Sequence, residues 1–592
     1  MKYLVLSSLF LLAFAGEGPR LRFTLQEPGG FQFAKPELYT TVKQLGGDGV
    51  IYVGGQAALY LLRFTEDKGV QHAQIPILSD KKARETCLSR LFQPQECDNF
   101  ITVIEKVDDH VLVCGTNAGA PRCWLLVSTP LPSEIPFLPD GDLYSAVSAE
   151  GNHPGFIRRT FGPHRLAKTE NKWLQNAQFA GAAVIPDSRQ HKEEIYFFFS
   201  EVNRTAGVDE QPYRARVGRL CLVDEGGIKG TLEGAWTTFL KARMMCGFDK
   251  TQKQFNSLKQ AFVLTDQEKR AGVVYGLFAN AWDTTVVCAY SVEDINQAFT
   301  TSRLKGYRGS LPGHRPGMCV FKNVTSSLGA RALAVIRDHP EIEDVIKPVD
   351  LAPLDLPTQR RFTKIAADMV LAVNEEHYSV VYLGTENGQV LKVLHTSEEA
   401  FIISQYSLFQ SEGPITAMTI DSRRGYLYVS TPAEVQRMPL ADCGRYGDSC
   451  RGCVLSRDPY CGWDVVKRKS VTLASPTDLR AHSTSPKEVV VEEETPVLLP
   501  CPVYSFHAKY HWEKDNCAKH YPCSIIGPSC VLLPTPLLPL TEGIFRCMGL
   551  EDNHKVELVS YRVIFNGGPA AAAVGYTLGA SLFLAASTFC LI

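Results

Sequence analysis

Along most of the chain the apolar residues come in short runs of about five or six, too brief for ordinary helices and rich in the β-branched and aromatic types that suit strands. Such runs stand at 50–55, 111–116, 195–200, 273–278, 380–385 and 426–430. Each fits the inner strand of a sheet buried on both faces. Several are followed by a turn and a second apolar run. In the clearest case Gly384, Thr385, Glu386, Asn387 and Gly388 lead into an apolar stretch at 389–394, so an Asn-Gly turn closes a hairpin. Hairpins recurring at long intervals over about four hundred residues predict a β-propeller, and roughly sixty residues per blade would make seven blades. An array of β-sandwiches has the same local pattern and is the competing arrangement.

Two apolar segments stand apart from this pattern. After Lys2 comes an apolar stretch from Tyr3 to Phe14, and Ala13-Phe14-Ala15 offers a cleavage site before Gly16, so residues 1–15 read as a signal peptide. Residues 570–592 carry no charge and are about long enough to cross a bilayer. Just before them, Asn566, Gly567 and Gly568 have the small side chains of a GPI attachment site, with only a short polar spacer. The expectation is attachment at Asn566 and removal of 567–592, with Gly567 and Gly568 as alternative sites and a transmembrane anchor as the alternative topology.

With 592 residues the chain exceeds a single core, and 61 basic against 63 acidic residues give no electrostatic case for nucleic acid. Of 18 cysteines, Cys590 lies in the terminal apolar segment, which leaves an odd number and at least one thiol unexplained. Four are concentrated between Cys443 and Asp464, a stretch too short to bury a hydrophobic centre, so it reads as a disulfide knot. Zinc on Cys450 and Cys453 competes, but no histidine lies in the run.

The Arg-Asp-Pro-Tyr-Cys-Gly-Trp-Asp sequence ending at Asp464 resembles the PSI module of plexins, semaphorins and integrins. Lys172-Trp173-Leu174, Gly218-Arg219-Leu220-Cys221, the segment from Trp236 to Arg243, Arg315-Pro316-Gly317-Met318-Cys319 and residues 385–393 resemble semaphorin sema domains. Trp236 and Phe239 within them read as core residues. Further on, Cys501, Trp512 and Cys547 follow the immunoglobulin order, with Phe545 where the usual tyrosine would stand. The resemblance implies an all-β chain: a seven-bladed sema propeller at 16–441, an apparently truncated PSI module with a linker at 442–487, and an immunoglobulin-like sandwich at 488–566. It also implies disulfides joining Cys87 to Cys97, Cys114 to Cys123, Cys221 to Cys319, Cys246 to Cys288, Cys443 to Cys461 and Cys501 to Cys547. A bridge from Cys523 to Cys530 resembles one in the GPI-anchored class 7 semaphorins. Ser470 stands where a semaphorin PSI module commonly has its next cysteine, so Cys450, Cys453 and Cys517 lack family-type partners. They are expected to be two or three reduced thiols, or else to form a Cys450–Cys453 bridge, a bridge to Cys517 or an intermolecular disulfide.

No H-E-x-x-H, G-x-S-x-G or phosphate-binding loop occurs, so no common catalytic motif supports an enzyme, and no cofactor or metal is expected. A propeller glycosidase using Glu193 and Glu194 is the formal alternative; solvent-facing loop charge is the plainer reading of that pair. A sema-domain receptor would need an intracellular signalling region. The resemblance implies instead a cell-surface ligand, GPI-anchored or shed, whose sema homodimer clusters plexins. Class 7 members point to a C-type plexin and to β1 integrins through Arg-Gly-Asp, a tripeptide absent here; Arg308-Gly309 and Arg424-Gly425 are partial echoes. Axon guidance, cell migration and immune regulation are the implied settings. Asn203 and Asn323 head the two glycosylation sequons and should lie on exposed propeller surface. Arg158, Arg159, His164, Arg165, Lys168 and Lys172 form a basic stretch that could steer an acidic partner, against the plainer reading of a solvated loop.

Overall fold

The computed structural model describes residues 19–565 with interruptions, the longest at 127–142, 320–329, 473–485 and 533–541. The signal peptide, the attachment residues 566–568, Asn323 and Cys517 lie outside the described residues. Two compact units result: residues 23–442, and residues from 443 onward together with those before 23.

In the larger unit the short apolar runs become inner strands. Tyr39–Gln44, Val50–Gly55, Ala58–Phe64 and Val70–Pro76 pair antiparallel in chain order. Ile51 and Val53 are fully buried, whereas the last strand is mostly exposed. Six further sheets, of two to five described strands each, follow the same antiparallel pairing of consecutive strands. They begin with Ile101–Val107, Leu143–Val147, Gln178–Asp187, Ser257–Thr265, Phe362–Leu371 and Ala417–Asp421.

The first strands of these sheets also touch one another. Tyr39–Gln44 packs on Ile101–Val107, Leu143–Val147 on Gln178–Asp187, then each on the next as far as Ala417–Asp421, which returns to Tyr39–Gln44. These contacts make six of the seven steps of a ring, all but that from Ile101–Val107 to Leu143–Val147, and the return to the first sheet fits a seven-bladed propeller and not a sandwich array. Closure is sealed by hydrogen bonds: Gln32–Ala34 pairs antiparallel with Glu434–Pro439, the outer strand of the last blade. The Asn-Gly turn lies between His377–Thr385 and Gln389–His395. Gly388 has φ +76°, and a Cβ there would meet the Gly413 carbonyl at 3.1 Å, so the turn needs glycine.

One blade is enlarged. Its four meander strands, from Gln178–Asp187 to Leu240–Met244, gain a fifth, Glu341–Ile346, which runs parallel to Leu240–Met244. Before that strand come the helices Val292–Thr301 and Ala330–Asp338. Ser291 caps the first helix by accepting the Asp294 N–H, and Glu293 and Asp294 sit favourably in its first turn. Val292, Ile295 and Phe299, spaced to share one face, are its buried residues.

In the smaller unit the helix Cys450–Ser456 and the hairpin of Cys461–Asp464 with Lys469–Thr472 surround the Cys443–Cys461 disulfide. Ser470 pairs with Trp463 across that hairpin. Further along, a five-stranded sheet containing Lys509–Lys514 and Gly543–Glu551 shares one core with a three-stranded sheet containing Leu499–Pro502. Cys501–Cys547 joins the two sheets, and Trp512 is fully buried in that core. This arrangement is consistent with an immunoglobulin-like fold.

Candidate functional site

A dense cluster of charge lies inside the enlarged blade, on strands whose neighbouring residues are largely apolar. Glu201, 2% exposed, meets Arg216 Nε at 2.7 Å and Lys241 Nζ at 2.7 Å, and Lys241 also donates to the Trp173 carbonyl at 2.8 Å. Arg216 reaches across to Glu341 Oε1 at 2.8 Å, which Lys305 also contacts at 2.8 Å. Burial pushes the Lys241 ammonium below its ordinary range, an effect that the Glu201 charge opposes without reversing. For Glu341, burial works upward, but Arg216, Lys305 and Lys241 together hold its carboxyl down at about 2. The Glu201 carboxylate is shared by two cations and also accepts the Gln175 N–H at 3.3 Å, and Lys241 is held by the Trp173 carbonyl, so these groups are committed to one another and to backbone. The cluster fastens the added strand Glu341–Ile346 and the Trp173 turn to the blade. Charged residues inside apolar strand patterns were the available signal for it.

The segment from Trp236 to Arg243 is built into the same scaffold. Asp224, 3% exposed, accepts the backbone N–H and the hydroxyl of both Thr237 and Thr238, at 2.7 to 2.9 Å. Trp236 donates to the Ile157 carbonyl at 3.0 Å, and Phe239 stacks on Trp173 with centroids 5.5 Å apart. Both aromatic side chains are fully buried, as core residues are.

The six basic candidates do not form one surface. Arg159 is 1% exposed and belongs to the core, which corrects its reading as a receptor-facing residue. Its guanidinium donates to the Asp224 carbonyl at 2.9 Å and Tyr144 Oη at 3.1 Å, also binds the Arg165 carbonyl, and lies over Trp236 at 5.3 Å. The physical reason is strand alternation: in Phe156–Phe161 neighbouring side chains point to opposite faces, so Arg158 is exposed while Arg159 turns inward. Lys172 is exposed and engaged with Asp338 at 2.9 Å. Arg165 and Lys168 are exposed, and His164 is half-buried.

Two further expectations are corrected. Asn203 is 8% exposed, so its sequon does not present the asparagine on open surface; the residue closes the end of a hairpin, donating its N–H to the Pro212 carbonyl at 2.7 Å. Glu194 is no solvent-facing loop charge. It lies in the strand Lys192–Val202, buried, 3.3 Å from Arg219 and accepting the Tyr196 hydroxyl at 2.9 Å.

The cysteines are brought together in seven bridges among the described residues. These are Cys87–Cys97, Cys114–Cys123, Cys221–Cys319, Cys246–Cys288, Cys443–Cys461, Cys501–Cys547 and Cys523–Cys530. Cys450 is exposed and forms no bridge with Cys453, which is buried.

With this geometry in place, comparison with known proteins is informative. A Sema domain profile matches residues 258–422 and a Plexin repeat profile matches residues 442–488. Human Semaphorin-7A is 32% identical over 598 aligned positions, which cover 94% of this chain and 87% of the relative. Among solved structures, Drosophila Semaphorin 2a superposes with a TM-score of 0.72 at 22% identity, covering 94% of this chain and 100% of that one. A chain from the structure of Drosophila Plexin A in complex with Semaphorin 1b superposes at 0.59 with 22% identity, covering 78% of this chain and 95% of its own.

Arg159→Ala should lower the stability of the propeller by about 2–3 kcal/mol, because it leaves buried carbonyls without a charged donor. Arg158→Glu, on the exposed face of the same strand, should stay within about 0.5 kcal/mol of wild type. Urea unfolding of both variants checks this, and equal midpoints would contradict the buried placement.

Glu341 generates a pH prediction. The unfolded carboxyl titrates near its ordinary 4.5 and the folded one at about 2, so acid protonates the unfolded chain first. The stabilisation is complete above pH 4.5 and is lost as the pH falls toward 2. The gap in urea midpoint between wild type and Glu341→Gln should therefore be widest near pH 6 and narrow steadily below pH 4.5. A gap that persists unchanged to pH 3 would refute the assignment.

Proposed function

The chain belongs to the semaphorin family, and on that premise we propose that it is a cell-surface ligand for plexin receptors. It acts by holding two receptors together through a homodimer of its propeller, so the mechanism is geometry and avidity without chemistry on a substrate. The observation that carries this reading is the seven-bladed propeller, a fold shared with a chain of the Drosophila complex between Plexin A and Semaphorin 1b. A charged centre used wholly for fastening strands fits a binding scaffold better than a glycosidase. Resemblance to class 7 favours a C-type plexin, with axon guidance, cell migration and immune regulation as settings. Integrin binding through Arg-Gly-Asp is disfavoured, because the tripeptide is absent.

Anchorage through a GPI group at Asn566, with shedding as a second form, completes the proposal. Glycosylation is proposed at Asn323, and at Asn203 only if the glycan is added before the hairpin closes. Of the basic stretch, Arg158, Arg165 and Lys168 are proposed to meet a receptor; Lys172, also exposed, is engaged with Asp338.

The mature ectodomain, screened against every plexin ectodomain, should bind a C-type plexin as a dimer. Charge reversal at Arg158, Arg165 and Lys168 should slow association most at low ionic strength. Absence of any plexin binding by folded ectodomain would overturn the function, and unchanged association across salt would remove these three residues from it.

On intact cells, phosphatidylinositol-specific phospholipase should release the protein into the medium. Retention under conditions that release a control GPI-anchored protein would establish a different anchor.

A further inference from the structure

The second unit carries a cluster that receptor clustering does not use. In Lys509–Lys514, His511 and Glu513 are two residues apart, so their side chains leave the same face of the strand. The neighbouring antiparallel strand His520–Pro522 sets His520 directly opposite Glu513. All three side chains converge. His511 Nε2 lies 3.1 Å and His520 Nδ1 3.0 Å from Glu513 Oε1, and the three donor atoms are all within 4.8 Å of one another. The two imidazoles meet edge to face with centroids 4.6 Å apart.

We propose that His511, Glu513 and His520 form a binding site for a divalent transition metal of the zinc class. Zinc bonds imidazole nitrogen and carboxylate oxygen at about 2.0–2.2 Å, which places the ligand atoms of a tetrahedron roughly 3.3 Å apart. The two nitrogen–oxygen separations on this face are close to that edge length. Two imidazoles and one carboxylate are a donor set that zinc accepts readily and that calcium and magnesium do not favour. A fourth position is left for water.

The surroundings support the ligands. Trp512, between His511 and Glu513, points the other way and is fully buried, which anchors the strand. The strand bearing His520 runs directly into Cys523, bonded to Cys530. Arg546, paired with Glu513 across the sheet, is occupied by Asp515 and Glu557 and so does not claim the carboxylate. Lys555 does contact Glu513; it keeps the carboxylate anionic in the metal-free protein, and its ammonium is the group a metal must displace. His520–Pro522 is the edge strand of its sheet, so coordination would pin that edge to its neighbour.

The test uses the intact mature ectodomain without a polyhistidine tag, stripped with a chelator and titrated with zinc chloride against a chromophoric competitor. Wild type should bind one equivalent that is lost or weakened at least tenfold in His520→Ala and in Glu513→Gln. His520 is 62% exposed, so its replacement leaves the core untouched, and circular dichroism verifies the fold of each variant. Lys555→Met, which removes the competitor, should bind zinc more tightly. Equal zinc stoichiometry and affinity in wild type and His520→Ala would overturn the proposal. So would weaker binding in Lys555→Met, since the ammonium would then be supporting the site it is argued to oppose.

Discussion

A ring of sheets is stable as a ring only if its first and last blades are joined, and here the junction is the pairing of Gln32–Ala34 with Glu434–Pro439. Three residues from one end of the unit complete a sheet formed some four hundred residues later. Without that pairing, the outer edge of Glu434–Pro439 would carry unpaired backbone groups, and nothing in the chain's connectivity would hold Ala417–Asp421 against Tyr39–Gln44. Contacts between blades that follow one another are inherited from chain order. This one must be found across the whole domain, so it carries the largest loop-closure entropy of any pairing in the unit.

The enlarged blade raises the same problem on a smaller scale. Its fifth strand joins parallel after an excursion of nearly a hundred residues beyond Leu240–Met244, and Ile342 and Ile346 seat it in the blade's core. Covalent and ionic ties add to that packing. Cys221–Cys319 ties the excursion to the meander and Cys246–Cys288 closes a loop within it, and the Glu201–Arg216–Glu341 chain of charges crosses from the meander to the added strand. Buried ion pairs bring little net stability because desolvation cancels much of their attraction. Their value here is register: an unpaired Arg216 would be costly in any alternative docking of the strand.

Much of this was legible in the sequence, for identifiable reasons. The runs at 50–55 and 380–385 and the Asn387-Gly388 turn are local signals with local causes, and they appear where the pattern put them. The corrections all concern which way a polar side chain faces. Arg159, Glu194 and Asn203 are polar letters that a linear reading assigns to solvent, yet each is buried. What decides their orientation is strand register and the presence of partners from distant strands, such as Asp224 for Arg159 and Arg219 for Glu194. The His511, Glu513 and His520 cluster escaped for the same reason, since its third member comes from a neighbouring strand and the spacing matches no metal-binding motif.

The family motifs show what such resemblance can and cannot locate. Trp173, Trp236, Phe239 and Lys241, the letters that carry it, are all buried and bonded to one another or to backbone. They build the blade, and a blade can be built identically under surfaces that recognise different receptors. Side chains free to meet a partner are those the blade leaves exposed, such as Arg158, whose neighbour Arg159 is committed to the core by one step along the same strand. A motif in this chain therefore identifies the scaffold, while strand alternation leaves the opposite face of the same sheets free to vary without disturbing it.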